Sequence, residues 1–380
     1  MAPFLKFVLL ASVVCWAKSA SIATQEDTEL VLVSVIFRHG ARTTYSFYPT
    51  DPNKNETFYP IGFGGLTNEG KLGEFKLGRY LKSVYGDFLG DVYTEDIVDV
   101  RSTDVTRTKM SAQLVLAGLF PPSPIQLWNE DLMWQPIPVS YKTDAEEDLF
   151  HPWGSCPYKS QVLSHQLEIQ EIKDTYVTPY NDSYVYLQEQ SGKSMTNPAD
   201  FQDIFFIFKT ESDMGLIMPE WTKTVFPEPT QSIGALVYGY HNYDQRVKQI
   251  NSGYMLKKIL DDSKKKIEQN SGKKIYLYSG HESTLGYMLD ALKVYDAHIP
   301  PYGSAISFEI HRANDQFYVK LRYRNDTEAT EPVDLKIPGC DILCPFDQFQ
   351  ELQKDLIPTV SIGEACQRDS VDVAQDTNAL

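Results

Sequence analysis

The chain has 380 residues, long enough for one large domain with an insertion or for two domains. Its 42% hydrophobic and 23% charged content is that of a globular protein, not a disordered one. A formal net charge of −16 opposes nucleic acid and anionic membranes as partners, so an anionic substrate demands a local basic pocket set against the global field.

Residues 1–20 read as a signal peptide. Lys6 begins it, Phe7 to Trp16 form a short apolar run, and Ala17-Lys18-Ser19-Ala20 is a small-residue exit, with cleavage expected between Ala17 and Ala23. The run is too short to span a bilayer comfortably, so export is expected, with the lysosome as the other destination. Leu30 to Phe37 is a continuous β-branched stretch, the pattern of a strand buried on both faces, and it stops at Arg38-His39-Gly40. After a Pro- and Asn-rich loop, Thr67 is placed to cap a helix with Leu77, Leu81, Val84 and Tyr85 on one face. Ile97 to Val100 predicts a short strand, followed by a helix capped by Asp104 with Met110, Leu114 and Ala117 inward.

Residues 143–270 are Tyr-rich, carry helical stretches such as His165 to Tyr176 and Asp244 to Gln269, and lack clear buried strands. They are expected to form a mainly helical cap insertion. Lys274 to Ser279 is a further strand, running through Gly280-His281-Glu282 into a helix with Leu285, Met288, Leu289 and Leu292. Ala305 to Arg312 and Phe317 to Arg324 predict a hairpin, with Phe317, Val319, Leu321 and Tyr323 alternating onto one face. Strands alternating with helices at both ends imply an α/β core built from residues 24–142 and 271–366, followed by a polar tail, 367–380.

Cys15 leaves with the leader, and Cys156, Cys340, Cys344 and Cys366 remain, an even number that suggests two disulfides in an exported protein. Three connectivities are open; in one, Cys340 and Cys344 close a small loop and leave Cys156 with Cys366. No His stands at ligand spacing beside these cysteines, which argues against zinc. Sequons at Asn55, Asn181 and Asn325 fit a glycosylated surface.

Three strand-to-helix junctions carry unusual polar residues: Arg38, His39 and Arg42 at the first, Arg107 at the second, His281 and Glu282 at the third. Ligands of α/β sheets bind where strands end, beside helix N-termini that favour anions. A cation such as Arg107 in a first helical turn opposes the macrodipole unless an anion joins it. Converging guanidiniums likewise need a phosphate among them. Arginines on either side of His39 lower its pKa and keep the ring nucleophilic in mild acid. Glu282 supplies a general acid, so covalent catalysis needs no metal or other cofactor. Taken singly, Arg-His-Gly reads as an exposed turn in which Gly40 takes a positive φ, and Arg107 and His281 as ordinary structural residues. His151, His165, His241, His298 and His311 receive the structural reading throughout.

At these positions the chain resembles the histidine acid phosphatase family, prostatic- and lysosomal-like. The run Arg38-His39-Gly40-Ala41-Arg42-Thr43-Thr44 matches that family's Arg-His-Gly-x-Arg-x-Pro except at Thr44. The stretch from Arg101 to Ala112 is similar to its second signature, and Tyr278-Ser279-Gly280-His281-Glu282 to its third, with Glu282 in place of aspartate. Trp134 to Pro138, Pro300-Pro301-Tyr302 and Pro338-Gly339-Cys340 recur in its animal members, while Trp128 to Leu132 and the Gly-His-Glu variant are more similar to the secreted insect venom-type branch. The resemblance implies a doubly wound mixed sheet with helices on both faces and a helical cap, and often a homodimer. It makes His39 the nucleophile, Arg38, Arg42, Arg107 and His281 the phosphate ligands, and Glu282 the acid. It pairs Cys340 with Cys344 and Cys156 with Cys366. The implied substrate is a small phosphomonoester or a phosphoprotein. Thr44 is expected to loosen the loop and the longer Glu282 to displace the acid. A phosphate-ligand binder with lost catalysis and an inositol-polyphosphate hydrolase are therefore the rival readings.

Overall fold

The computed structural model describes residues 28–150, 156–326 and 331–368; the leader, His151 and residues 369–380 lie outside them. Among the described residues, eight strands form one mixed sheet: β1 (Glu29–Arg38), β2 (Val98–Ser102), β3 (Ser140–Tyr141), β4 (Ile275–Gly280), β5 (Ala305–Ala313), β6 (Gln316–Arg324), β7 (Val333–Leu335) and β8 (Cys344–Pro345). Their order is β3-β2-β4-β1-β5-β6-β7, with β8 also on β6. The strands from β3 to β1 run parallel, while β5, β6 and β7 continue the sheet antiparallel.

The apolar run of β1 makes it the central strand. Leu32 and Ile36 point into one core cluster, and Val33, Val35 and Phe37 into another on the opposite face. Helices cover both faces. On one side lie α1 (Asn68–Leu89) and α2 (Thr106–Leu119), whose Leu77, Leu81, Val115 and Leu116 meet Val33 and Leu277. Thr67 caps α1 as expected, its hydroxyl accepting from the Gly70 amide at 3.0 Å. The opposite face is packed by the helix Tyr254–Gln269, and by the helix Glu282–Ala291 with Leu285, Met288 and Leu289.

The stretch from Pro157 to Lys248 is built of short helices joined by loops and encloses a separate cluster around Phe201, Ile204, Phe208 and Tyr184. The longest of these helices is α3 (Pro198–Met214), started by Asn197, which accepts from the Ala199 amide, and by Pro198 in its first turn. The stretch His165 to Tyr176 is not one helix: Pro157–His165 ends there, and Ile169 takes an extended conformation before Gln170–Tyr176 begins. From Gln245 to Gln269 the helical path is continuous through a π-helical turn at Gln249–Gly253. Packing groups Tyr254–Gln269 with the sheet, since Met255, Leu256, Ile259 and Leu260 join the cluster of Leu32 and Ile36.

Two local expectations are corrected. Asp104 does not cap α2: the N-cap is Val105, and Asp104 pairs with Lys109 at 2.6 Å. The inward face of α2 is not Met110, Leu114 and Ala117, which are half-buried, but Arg107, Thr108, Ser111, Ala112, Val115 and Leu116. The helix is turned so that its first two turns deliver polar side chains to the strand ends. The disulfides are Cys156–Cys366 and Cys340–Cys344. Asn55, Asn181 and Asn325 are exposed. No helix among the described residues is long and apolar enough to cross a membrane.

Candidate active site

The sheet order explains why residues far apart in sequence meet. β2, β4 and β1 are parallel neighbours, so their C-terminal ends lie side by side. Register aligns Arg38 with Gly280, and Ser102 with Ser279. The ladder then continues one residue further: the His39 amide donates to Gly280 O at 3.1 Å and the Thr103 amide to Ser279 O at 3.2 Å. His39, Thr103 and His281 therefore leave the sheet at one level.

Gly40 does not take a positive φ. A Cβ there would lie 2.3 Å from the Gly70 carbonyl oxygen, so the missing side chain serves the close approach of α1 to the turn. Thr44 is buried, its hydroxyl donating to Ser46 O at 3.0 Å and its carbonyl accepting from Gly64 N at 2.9 Å. Together with the Thr43 amide on Gly65 O, these bonds hold the loop at the position where the resemblance led one to expect loosening.

All six polar residues singled out in the sequence are brought together and buried. His39 Nδ1 is 2.8 Å from Gly40 O; a carbonyl only accepts, so Nδ1 carries the proton. The opposite nitrogen, Nε2, is left with its lone pair and has no hydrogen-bond partner among the described residues. His281 has the reverse arrangement. Arg107 donates to its Nδ1 at 3.1 Å, so its proton sits on Nε2, which donates to Thr103 Oγ1 at 3.1 Å. Thr103 passes the bond to Thr108 Oγ1 at 2.8 Å, and Thr108 to Val105 O at 2.8 Å. The relay fixes both the tautomer and the ring plane of His281.

Arg38 donates to Pro300 O at 2.6 Å and places Nε 3.5 Å from the Glu282 carboxylate. Its guanidinium lies 3.9 Å from the Tyr302 ring centre, and Arg42 donates to Thr43 O at 2.8 Å. Burial first, and then the charges of Arg107, Arg38, His281 and Arg42, hold the His39 pKa well below the usual histidine value. Charge alone was the cause anticipated from sequence; desolvation is the larger one.

Donor atoms of His39, His281 and Glu282 lie within 4.8 Å of one another, a spacing that also suits a metal ion. Both ring nitrogens of His281 are already engaged, however, and three guanidiniums point to the same place. Nitrogen donors in this number suit an anion of tetrahedral shape, with the His39 lone pair and the Glu282 carboxyl close beside it.

The other histidines among the described residues are engaged away from this cluster. His241 bonds Tyr287, His298 bonds Tyr323, His311 bonds Glu309, and His165 bonds its own helix. Residues not anticipated from sequence include Thr103, Thr108 and the rings of Tyr45, Phe206 and Tyr302 around the arginines. Pro300-Pro301-Tyr302 stood out as a motif, but its contact with Arg38, 262 residues away, needs the folded sheet.

The profile of the histidine phosphatase superfamily (branch 2) matches residues 29–324. Venom acid phosphatase Acph-1 of Apis mellifera is 39% identical over 346 residues, 88% of this chain and 87% of the relative. Prostatic acid phosphatase of Homo sapiens is 35% identical, covering 87% and 86%. Among solved structures, the Klebsiella sp. ASR1 phytase superposes with a TM-score of 0.65 at 17% identity, covering 88% of this chain and 98% of the other. The chain belongs to the histidine phosphatase superfamily, branch 2, and is a metal-independent hydrolase of acid phosphatase type.

Proposed function

We propose that the chain is an exported acid phosphatase that hydrolyses phosphate monoesters through a phosphohistidine at His39, with Glu282 as the proton donor and acceptor. The observation that carries this reading is the His39 ring: Nδ1 is tied to Gly40 O, and the buried Nε2 has no partner while three guanidiniums surround it. Arg38, Arg42 and Arg107 neutralise a phosphate dianion and hold its phosphorus in line with Nε2. The Nε2 lone pair forms the N–P bond as the P–O bond to the alcohol breaks, and Glu282 gives its proton to the departing oxygen. Water then attacks phosphorus, the Glu282 carboxylate takes the water proton, and the N–P bond breaks to release inorganic phosphate. His281, expected to be a phosphate ligand, has Nε2 on Thr103 and Nδ1 accepting from Arg107, so in this reading it acts by positioning Arg107. The substrate is a small phosphomonoester or a phosphorylated side chain, and the exposed sequons are glycosylated.

A Glu282→Gln variant tests the acid. Turnover of an alkyl phosphate, whose leaving group needs a proton, falls on the order of 100-fold or more, and turnover of p-nitrophenyl phosphate falls much less. Equal losses on both substrates would remove Glu282 from this role. The binder reading fails if wild-type protein releases inorganic phosphate at pH 5. The phytase likeness, at 17% identity, carries the fold alone and does not favour inositol polyphosphates.

A further inference from the structure

Three aromatic rings lie against the arginine guanidiniums and His39, and each approaches two of these side chains. Tyr45 lies 4.6 Å from the Arg42 guanidinium and 5.0 Å from that of Arg107. Phe206 lies 5.0 Å from Arg38 and 5.3 Å from Arg42, and Tyr302 lies 3.9 Å from Arg38 with its ring centre 5.9 Å from that of His39. Cation–π attraction to the ring faces offsets part of the repulsion among the guanidiniums. Tyr45 is the outermost of these groups: it is 55% exposed, whereas Arg42 and Arg107 beneath it are 8% and 6% exposed.

Its position is built by the loop. Gly64 has φ +65, and a Cβ there would come within 2.5 Å of Tyr45 Cε1, so the ring rests on bare backbone. The Thr44–Gly64 and Thr43–Gly65 backbone bonds hold that backbone in place. Tyr45 directly follows Thr44, the position that departs from the Arg-His-Gly-x-Arg-x-Pro motif.

A phosphate held on Arg38, Arg42 and Arg107 would sit against the same guanidiniums as these rings, with the exposed Tyr45 on the solvent side. We propose that Tyr45, with Phe206 and Tyr302, forms an aromatic collar that selects esters of flat aromatic alcohols, aryl phosphates and the phosphotyrosine side chain, over aliphatic ones, and that Tyr45 is the specificity-determining member. The inference rests on the monoesterase reading of the pocket for its biological meaning, but not for its test.

Phenylphosphonate and methylphosphonate carry the same anionic head, lack a scissile ester bond and differ in the ring. Their dissociation constants at pH 5, measured by calorimetry on the full-length protein, give an aromatic preference independent of turnover. Wild type prefers phenylphosphonate about tenfold, the size of one good stacking contact. Tyr45→Ala brings the preference to within about twofold of parity, and Tyr45→Phe keeps it within about twofold of wild type. A preference unchanged in Tyr45→Ala, lost equally in Tyr45→Phe, or missing from wild type overturns the collar. A wild-type protein that shows the preference but does not hydrolyse p-nitrophenyl phosphate would sink the catalytic reading and leave the collar standing.

Discussion

At the scale of residues, the cluster holds one imidazole with a lowered pKa among three guanidiniums. His39 is fully buried, and burial together with Arg107, Arg38 and Arg42 keeps its pKa down. Arg107 is the largest of the charge contributions. Arg107→Gln therefore raises the His39 pKa, and the acid limb of the kcat/KM profile moves to higher pH. The same variant loses about 10- to 100-fold in kcat/KM through the missing charge-assisted bonds to phosphate. A pH–rate profile of both proteins checks this, and an unmoved acid limb would contradict it. His39, Arg42, Arg107, His281 and Glu282 were legible because arginines and histidines crowded strand ends and helix starts for no structural reason of their own. Thr103 and Thr108 were not: a threonine at a strand-to-helix junction has many ordinary uses, and only the fold shows it completing the His281 relay.

Elements explain what the motifs could not. Gly40 reads as a turn glycine, yet its missing side chain lets the first turn of α1 pass against the His39 turn. Gly40→Ala places a Cβ 2.3 Å from a backbone oxygen, so either α1 or the His39 turn must move. A stability loss of about 1–3 kcal/mol is expected from urea unfolding. Activity should fall by more than that loss accounts for, about 100-fold for a displacement near 1 Å, because His39 takes its tautomer from Gly40 O. Full activity in Gly40→Ala would contradict this reading of the junction. β1, β4 and the hairpin β5–β6 were legible from their apolar runs and alternation. Strands as short as β3 and β8, two residues each, carry no periodicity to read. The rotation of α2 was missed for a different reason: its buried face is polar at the start, which inverts the usual inward-apolar rule.

Across the whole molecule, acidity acts on groups remote from the pocket. His241 is buried against Tyr287, and burial, with Lys159 nearby, pushes its pKa down to about 3. The unfolded chain binds that proton near pH 6.5 and the folded chain does not, so stability present above 6.5 is lost as pH falls toward 3. Between pH 6.5 and 5 the loss amounts to about 2 kcal/mol. His241→Gln removes this contribution, and urea midpoints at the two pH values should converge by that amount relative to wild type. An identical pH dependence in both proteins would contradict it. The alternation of strands and helices made the α/β core legible, but not the strand order, which depends on pairings across more than 200 residues.

The phosphoenzyme tests the central claim most directly. Wild-type protein mixed with a labelled phosphate monoester and quenched within milliseconds into base, where phosphohistidine survives, should carry one phosphoryl group, mapped by mass spectrometry to His39. His39→Ala should carry none and turn over no substrate. Label on another residue, or turnover retained in His39→Ala, would contradict the account.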